Sequence, residues 1–259
     1  MKKLLIKTCI IGLISWFGLH FSGCVGDTIN PCENKRQIGG SFTMGEHITN
    51  YGGVDTLLVS DTVITDNVVL FRADSTYSSY EWKIGDDPRV FTTKEVGLMF
   101  RSPESNIPVR LIARWRADKE CFPEDVGVDT VYKYLTVIDK RDNPIFGTYI
   151  GALVTNPTHS YEVEISTDLW FDTFYLKNIN EGCEMSNNHL GIRLAYKAIS
   201  FSEDSSTQIY INGCKNPKGW LFLSSTGYEL VGNYSVGNGS QLMLETVRTK
   251  EKFVGQKNN

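Results

Sequence analysis

The chain has 259 residues, 41% of them hydrophobic and 22% charged. That composition is globular and excludes a disordered or collagen-like chain. With 26 basic against 30 acidic residues the formal net charge is −4, which argues against a nucleic-acid binder, since such proteins concentrate positive charge.

The first element in chain order is an address. Lys2, Lys3 and Lys7 precede an apolar run from Ile10 to Phe21. The run is too short and too interrupted for a comfortable span of about 20 residues, and the pattern is that of a secretory signal. It ends on Phe21-Ser22-Gly23-Cys24, which resembles the bacterial lipobox with Phe21 where Leu is usual. The resemblance implies cleavage after Gly23, diacylglycerylation of the Cys24 thiol and acylation of its new amino group. A plain signal peptide or an uncleaved anchor helix is the simpler alternative. Cleavage leaves 23 basic against 30 acidic residues, net −7. Residues 24–36 then form a lipidated tether. The acidic tract that commonly follows a lipidated Cys is reduced to Asp27, so outer-membrane anchoring with display on either the cell surface or the periplasmic face stays open.

Besides Cys24, the mature chain keeps Cys32, Cys121, Cys183 and Cys214. An even count in an exported chain reads as disulfides, and four cysteines allow three pairings. None shows the C-x₂₋₄-C spacing of a zinc site.

Alternation of period two dominates the mature chain, so the expected class is all-β. Thr56–Val59, Val68–Phe71, Val109–Trp115 and Tyr132–Val137 read as strands. Asp66-Asn67, Gly85–Pro88, Ser102-Pro103 and Phe122-Pro123 supply turns between them. The run from Val68 to Ala73, then Tyr80-Glu81-Trp82-Lys83-Ile84-Gly85-Asp86-Asp87, Ile107–Leu111 and Leu135–Val137 resemble a PKD domain. That is an immunoglobulin-like sandwich frequent on bacterial surfaces. Tyr80, Trp82, Gly85 and Asp86 match the family's strand-and-turn motif; Ile84 and Asp87 replace its Phe and final Gly. The resemblance covers about Gln37 to Asp139. It implies Trp82 packed between two sheets, a turn at Gly85-Asp86, and a spacer or binding role. It also implies that Cys32 and the Cys121 loop lie at one end of the sandwich. The pairing it suggests is Cys32–Cys121, leaving Cys183–Cys214.

Asp139–Pro144 is a charged break, and residues 140–143 read as a linker. From 144 to 259 some eight or nine short strands suggest an antiparallel meander, curled or closed into a barrel or sandwich. Its opening Phe146-Gly147-Thr148-Tyr149-Ile150-Gly151 is similar to small lipocalin-like modules on lipoproteins of the Bacteroidota. Asp-Thr before an apolar residue looks like the O-glycosylation acceptor of exported proteins of that group. It marks Thr28, Thr56, Thr62 and Thr130, with Ser75 close to the pattern; strand openings are the plainer explanation.

No H-E-x-x-H, G-x-S-x-G or P-loop occurs. Glu162 and Glu164 share one strand face, most simply a solvent face. Asp86 and Asp87 fall short of the six to eight oxygens that calcium takes. No catalytic, metal or cofactor site is expected. Trp170, Phe171 and Tyr175 are candidate ligand contacts, although such a run more often forms core. The function expected is that of a non-catalytic envelope lipoprotein: an adhesion, scaffold or protein-interaction module. Its partners are the membrane, through the lipid, and envelope proteins or glycans, not nucleic acid. A carbohydrate-binding component of an outer-membrane uptake system is the alternative, and a cryptic hydrolase a remote one.

Overall fold

The computed structural model describes residues 31–49, 55–168, 173–179, 184–186, 193–202, 215–224, 229–237 and 249–258. The chain divides into two compact units, Met1–Arg36 and Gln37–Asn259. In the first, the described residues include a turn at 31–34, with a hydrogen bond from Lys35 N–H to Cys32 O of 3.1 Å. Cys32 and Cys121 are joined by a disulfide. The other expected pair, Cys183–Cys214, lies outside the described residues, as do residues 1–30 with Cys24 and Thr28.

The second unit is all-β. Among the described residues eight strands come first: β1 (Phe42–Thr49), β2 (Asp55–Val59), β3 (Thr62–Ile64), β4 (Val68–Ala73), β5 (Ser79–Ile84), β6 (Glu95–Met99), β7 (Glu104–Arg114) and β8 (Val128–Ile138). They form two four-stranded sheets, ordered β2-β1-β4-β6 and β3-β8-β7-β5. All their ladders are antiparallel except β3 on β8, which is parallel.

Alternation decides what faces inward. In β7, Ile107, Val109, Leu111 and Ala113 are buried, while Arg110 and Arg114 are not. Phe42, Met44 and Phe71 of one sheet meet Trp82, Ile84 and Leu111 of the other in one core. Trp82 is fully buried, edge-on to Phe42 at 5.2 Å, and its indole N–H donates to Thr93 O at 2.9 Å. A buried Trp satisfied in this way contributes apolar area without stranding a donor. After Ile84 the chain turns at Gly85, whose φ of +52° favours glycine.

After β8 comes a one-turn 3₁₀ helix, Lys140–Asp142. Among the described residues nine more strands follow: β9 (Gly147–Leu153), β10 (Asn156–Asp168), β11 (Thr173–Lys177), β12 (Glu184–Ser186), β13 (Arg193–Ala195), β14 (Ala198–Ser202), β15 (Lys215–Leu223), β16 (Glu229–Gly237) and β17 (Thr249–Lys257). They make a single curled sheet in which every ladder is antiparallel. Neighbours in the chain are neighbours in the sheet, and the last strand, β17, pairs with the first, β9. That first-to-last pairing is how an up-and-down meander curls on itself. Among the described residues the ladder is broken only between β12 and β13.

The curl demands close approach of β9 and β17. Gly151 pairs with Gly255, and a Cβ on Gly151 would stand 2.2 Å from Val254 O. The concave side is filled: Tyr149, Val163, Leu176, Leu221, Leu230 and Phe253 are among a continuous buried cluster. Ile64, at the end of β3, belongs to that same cluster, so the sandwich contributes a side chain to the core of the curled sheet.

Candidate functional site

The even-numbered positions of β1 point inward. Phe42 and Met44 enter the sandwich core, and Ile48 joins Ala195 and Ala198 on the curled sheet. Between them the same alternation buries Glu46, which is 1% exposed. A buried carboxylate must be hydrogen-bonded. Its Oε1 accepts from Ile64 N–H at 3.2 Å and from Asn67 Nδ2 at 2.7 Å; its Oε2 accepts from Tyr196 N–H at 2.6 Å. Burial raises its pKa above the ordinary value, and the three donors pull it partly back.

Asn143 is the second anchor. The break expected as a linker ends on this buried side chain, which donates to Ala195 O at 2.7 Å and accepts from Ile145 N–H and Lys197 N–H at 3.2 and 3.1 Å. Asn67 Nδ2 also donates to Leu194 O at 2.7 Å, and Leu223 N–H to Lys197 O at 2.8 Å. The two-residue tip Tyr196-Lys197, between β13 and β14, is therefore held through its backbone from three directions. That over-determination sustains a φ of +57° at Lys197, a sparsely populated conformation for a residue with a Cβ.

Above this seam runs a groove of about 730 Å³. One wall is the run from Leu57 to Thr62; the other is Tyr196–Ala198 with Phe222 and Leu223. The Phe222 ring lies parallel to Trp220, centroids 5.5 Å apart and planes within 7°, and Phe222 is 36% exposed. The Lys197 ammonium sits 5.2 Å from the Tyr196 ring centroid. Thr62 N–H donates to Ser60 Oγ, and Thr62 Oγ1 to Asp61 Oδ1.

A second surface lies on the sandwich. On β8, Leu135 and Val137 face the core and Lys133 reaches over Phe42 to its carbonyl oxygen, so the intervening residues face outward. Tyr132 and Tyr134 are 59% and 61% exposed there. In register beside them on β7 stand Arg110 and Pro108. Arg110 and Arg114 share Glu81 at 3.3 and 3.7 Å, and Arg110 Nε has no hydrogen-bond partner.

The residues expected to matter do not converge. Trp82 and Gly85 take the core and turn positions; Tyr80 is half-buried, its hydroxyl accepting from Tyr77 N–H at 3.0 Å, and Asp86 is exposed. Asp87 is paired with Arg89, whose hydrogen bonds hold its carboxyl at about 2. Tyr175 is half-exposed on the convex side of β11 and does not line the groove; Trp170 and Phe171 lie outside the described residues. Ser75 and Thr130 are exposed, Thr56 and Thr62 half-buried, and Thr62 lines the groove. Glu164 is bound by Lys177 at 3.0 Å through both oxygens, opposite the buried face of β10. His47 and His159 stand on different sheets, and His189 is outside the described residues. Among the described residues no three His, Cys, Asp or Glu side chains group as metal ligands would.

Sequence reasoning missed Glu46, Asn143, Tyr196, Lys197 and Phe222. One signal was present: Glu46 is the lone polar member of the series Phe42, Met44, Glu46, Ile48. Comparison with known proteins returns no matching family model, no matching curated protein and no matching solved structure.

Proposed function

We propose that this chain is a non-catalytic lipoprotein of the cell envelope, anchored through Cys24, whose sandwich is a protein-interaction module. The observation that carries the reading is the pair Tyr132 and Tyr134, outward on β8 with Arg110 and Pro108 of β7 in register beside them. Tyr and Arg are the residues that dominate binding energy at interfaces, because each offers large contact area with polar groups at its edge.

A short strand parallel to the last strand, β3 on β8, and a core Trp on β5 support an immunoglobulin-like sandwich of the PKD type. The meander whose ends pair supports a lipocalin-like ancestry for the curled sheet, with its concave side given over to packing. Among the described residues, Ser75 and Thr130 are the exposed members of the glycosylation pattern.

The experiment is a comparative pull-down from detergent-solubilised envelopes. Protein captured by the wild type and lost with Tyr132→Ala/Tyr134→Ala supports the reading. Identical capture by both refutes it.

A further inference from the structure

The groove over Glu46 is a separate feature, more than a gap between packed layers. Its aromatic wall is Phe222, whose ring is stacked parallel to that of Trp220, two positions earlier on the same face of β15. Its opposite wall offers main chain. β2 is the edge of its sheet, and Ser60 N–H donates to Met44 O on the β1 side. Strand alternation therefore turns the peptide groups of Leu57 and Val59 the other way, off the sheet edge. Val59 is 67% exposed. Two opposite charges stand at the rim: Asp61, exposed, and Lys197 on its clamped turn. Glu46 itself is already occupied by three protein donors and serves to fix the floor.

This lining selects a ligand chemistry. A hydrocarbon would cover Phe222 but strand Asp61 and the edge amides without water, a loss. An anion would meet Asp61 and a cation Lys197. A pyranose has an apolar C–H face for the ring and a rim of hydroxyls that both donate and accept. We propose that the groove binds a neutral oligosaccharide, one sugar ring lying on Phe222 beside Trp220, with its hydroxyls turned toward Asp61, Lys197 and the edge of β2. A volume of about 730 Å³ is within the range of small-ligand sites. The groove shares no residue with the tyrosine face of the sandwich.

The test is an array of neutral, sulfated and uronic-acid oligosaccharides probed with the purified mature chain, with any binder titrated by tryptophan fluorescence. The expected result is binding of a neutral oligosaccharide with a change in emission. Phe222→Ala should weaken it about tenfold and Asp61→Asn severalfold, while Tyr132→Ala leaves it unchanged. Circular dichroism of the variants matching wild type keeps the comparison one of binding. No neutral binder, binding confined to charged glycans, or wild-type affinity in both groove variants overturns the proposal.

Discussion

The Tyr196 backbone N–H donates to the Glu46 carboxylate at 2.6 Å, across 150 positions of sequence. This one bond joins the first strand of the sandwich to the hairpin tip of the curled sheet. It makes Glu46 the residue through which pH reaches the seam. A glutamate carboxyl ordinarily titrates near 4.5, and burial raises that of Glu46. Above the ordinary value the unfolded chain gives up this proton first, so it binds fewer protons than the folded chain. Stability from this group therefore falls as pH rises through the raised value. Asp87 and Asp139 act in the opposite sense: each is held at about 2 by an arginine, and each loses its contribution as pH drops below the ordinary 3.8. Glu46→Gln sets an amide NH₂ among three N–H donors and leaves one of them unmatched, so the variant is less stable at about pH 4. The gap between wild type and variant should narrow as pH rises to about 7. Urea midpoints at the two pH values check this; a widening gap contradicts it.

Asn143→Ala should be costly although it removes no apolar side chain. It strands Ala195 O, Ile145 N–H and Lys197 N–H, all at buried or half-buried positions. At about 1 kcal/mol or more for each, the loss is about 3 kcal/mol. Its exposed neighbour Asp142→Ala should stay within about 0.5 kcal/mol. Equilibrium unfolding in urea separates the two, and equal effects would remove Asn143 from the seam.

Gly151→Ala tests the closure of the meander. The added Cβ meets Val254 O and the Gly255 Cα at 2.2 and 2.3 Å, both backbone atoms that cannot swing aside. We expect a loss of about 3 kcal/mol. Amide exchange should quicken along β17 while the β5–β7 ladder keeps its protection. Uniform acceleration across both sheets would instead mean that they unfold as one.

The Cys32–Cys121 bridge closes a loop of about 90 residues, for which chain entropy gives about 4.5 kcal/mol and measured losses run about 2–5. Cys32→Ser/Cys121→Ser should lower stability within that range. Peptide mapping without reductant should return the two cysteines on one linked fragment; free thiols at both would contradict the bond.

The parts of the fold visible in the sequence are those with clean alternation. Val109 to Trp115 and Tyr132 to Val137 read as strands because apolar residues recur at every second position, Val109, Leu111, Ala113 and Trp115 in the first and Leu135 and Val137 in the second, and β7 and β8 cover these runs to within a residue. Trp82 announced the sandwich core. β1 was hidden because Gly45, Glu46 and His47 interrupt its pattern, and Glu46 is buried for its hydrogen bonds, not for hydrophobicity. β17, reading Thr-Lys-Glu-Lys-Phe-Val-Gly-Gln-Lys, looks like a charged tail, yet it is paired on both sides. The groove could not be read at all: its walls come from opposite halves of the chain, and their meeting depends on Asn143 and Glu46 seating one hairpin tip.

The central claim, an interaction module presenting Tyr132 and Tyr134, is tested most directly inside the cell. A photo-reactive phenylalanine analogue placed at position 132 in the full-length chain should give one discrete cross-linked protein adduct on illumination. The same analogue at exposed Thr92, on the β5–β6 loop, should not. An adduct specific to position 132 is the predicted result; none there, or the same adducts at both positions, would contradict the account.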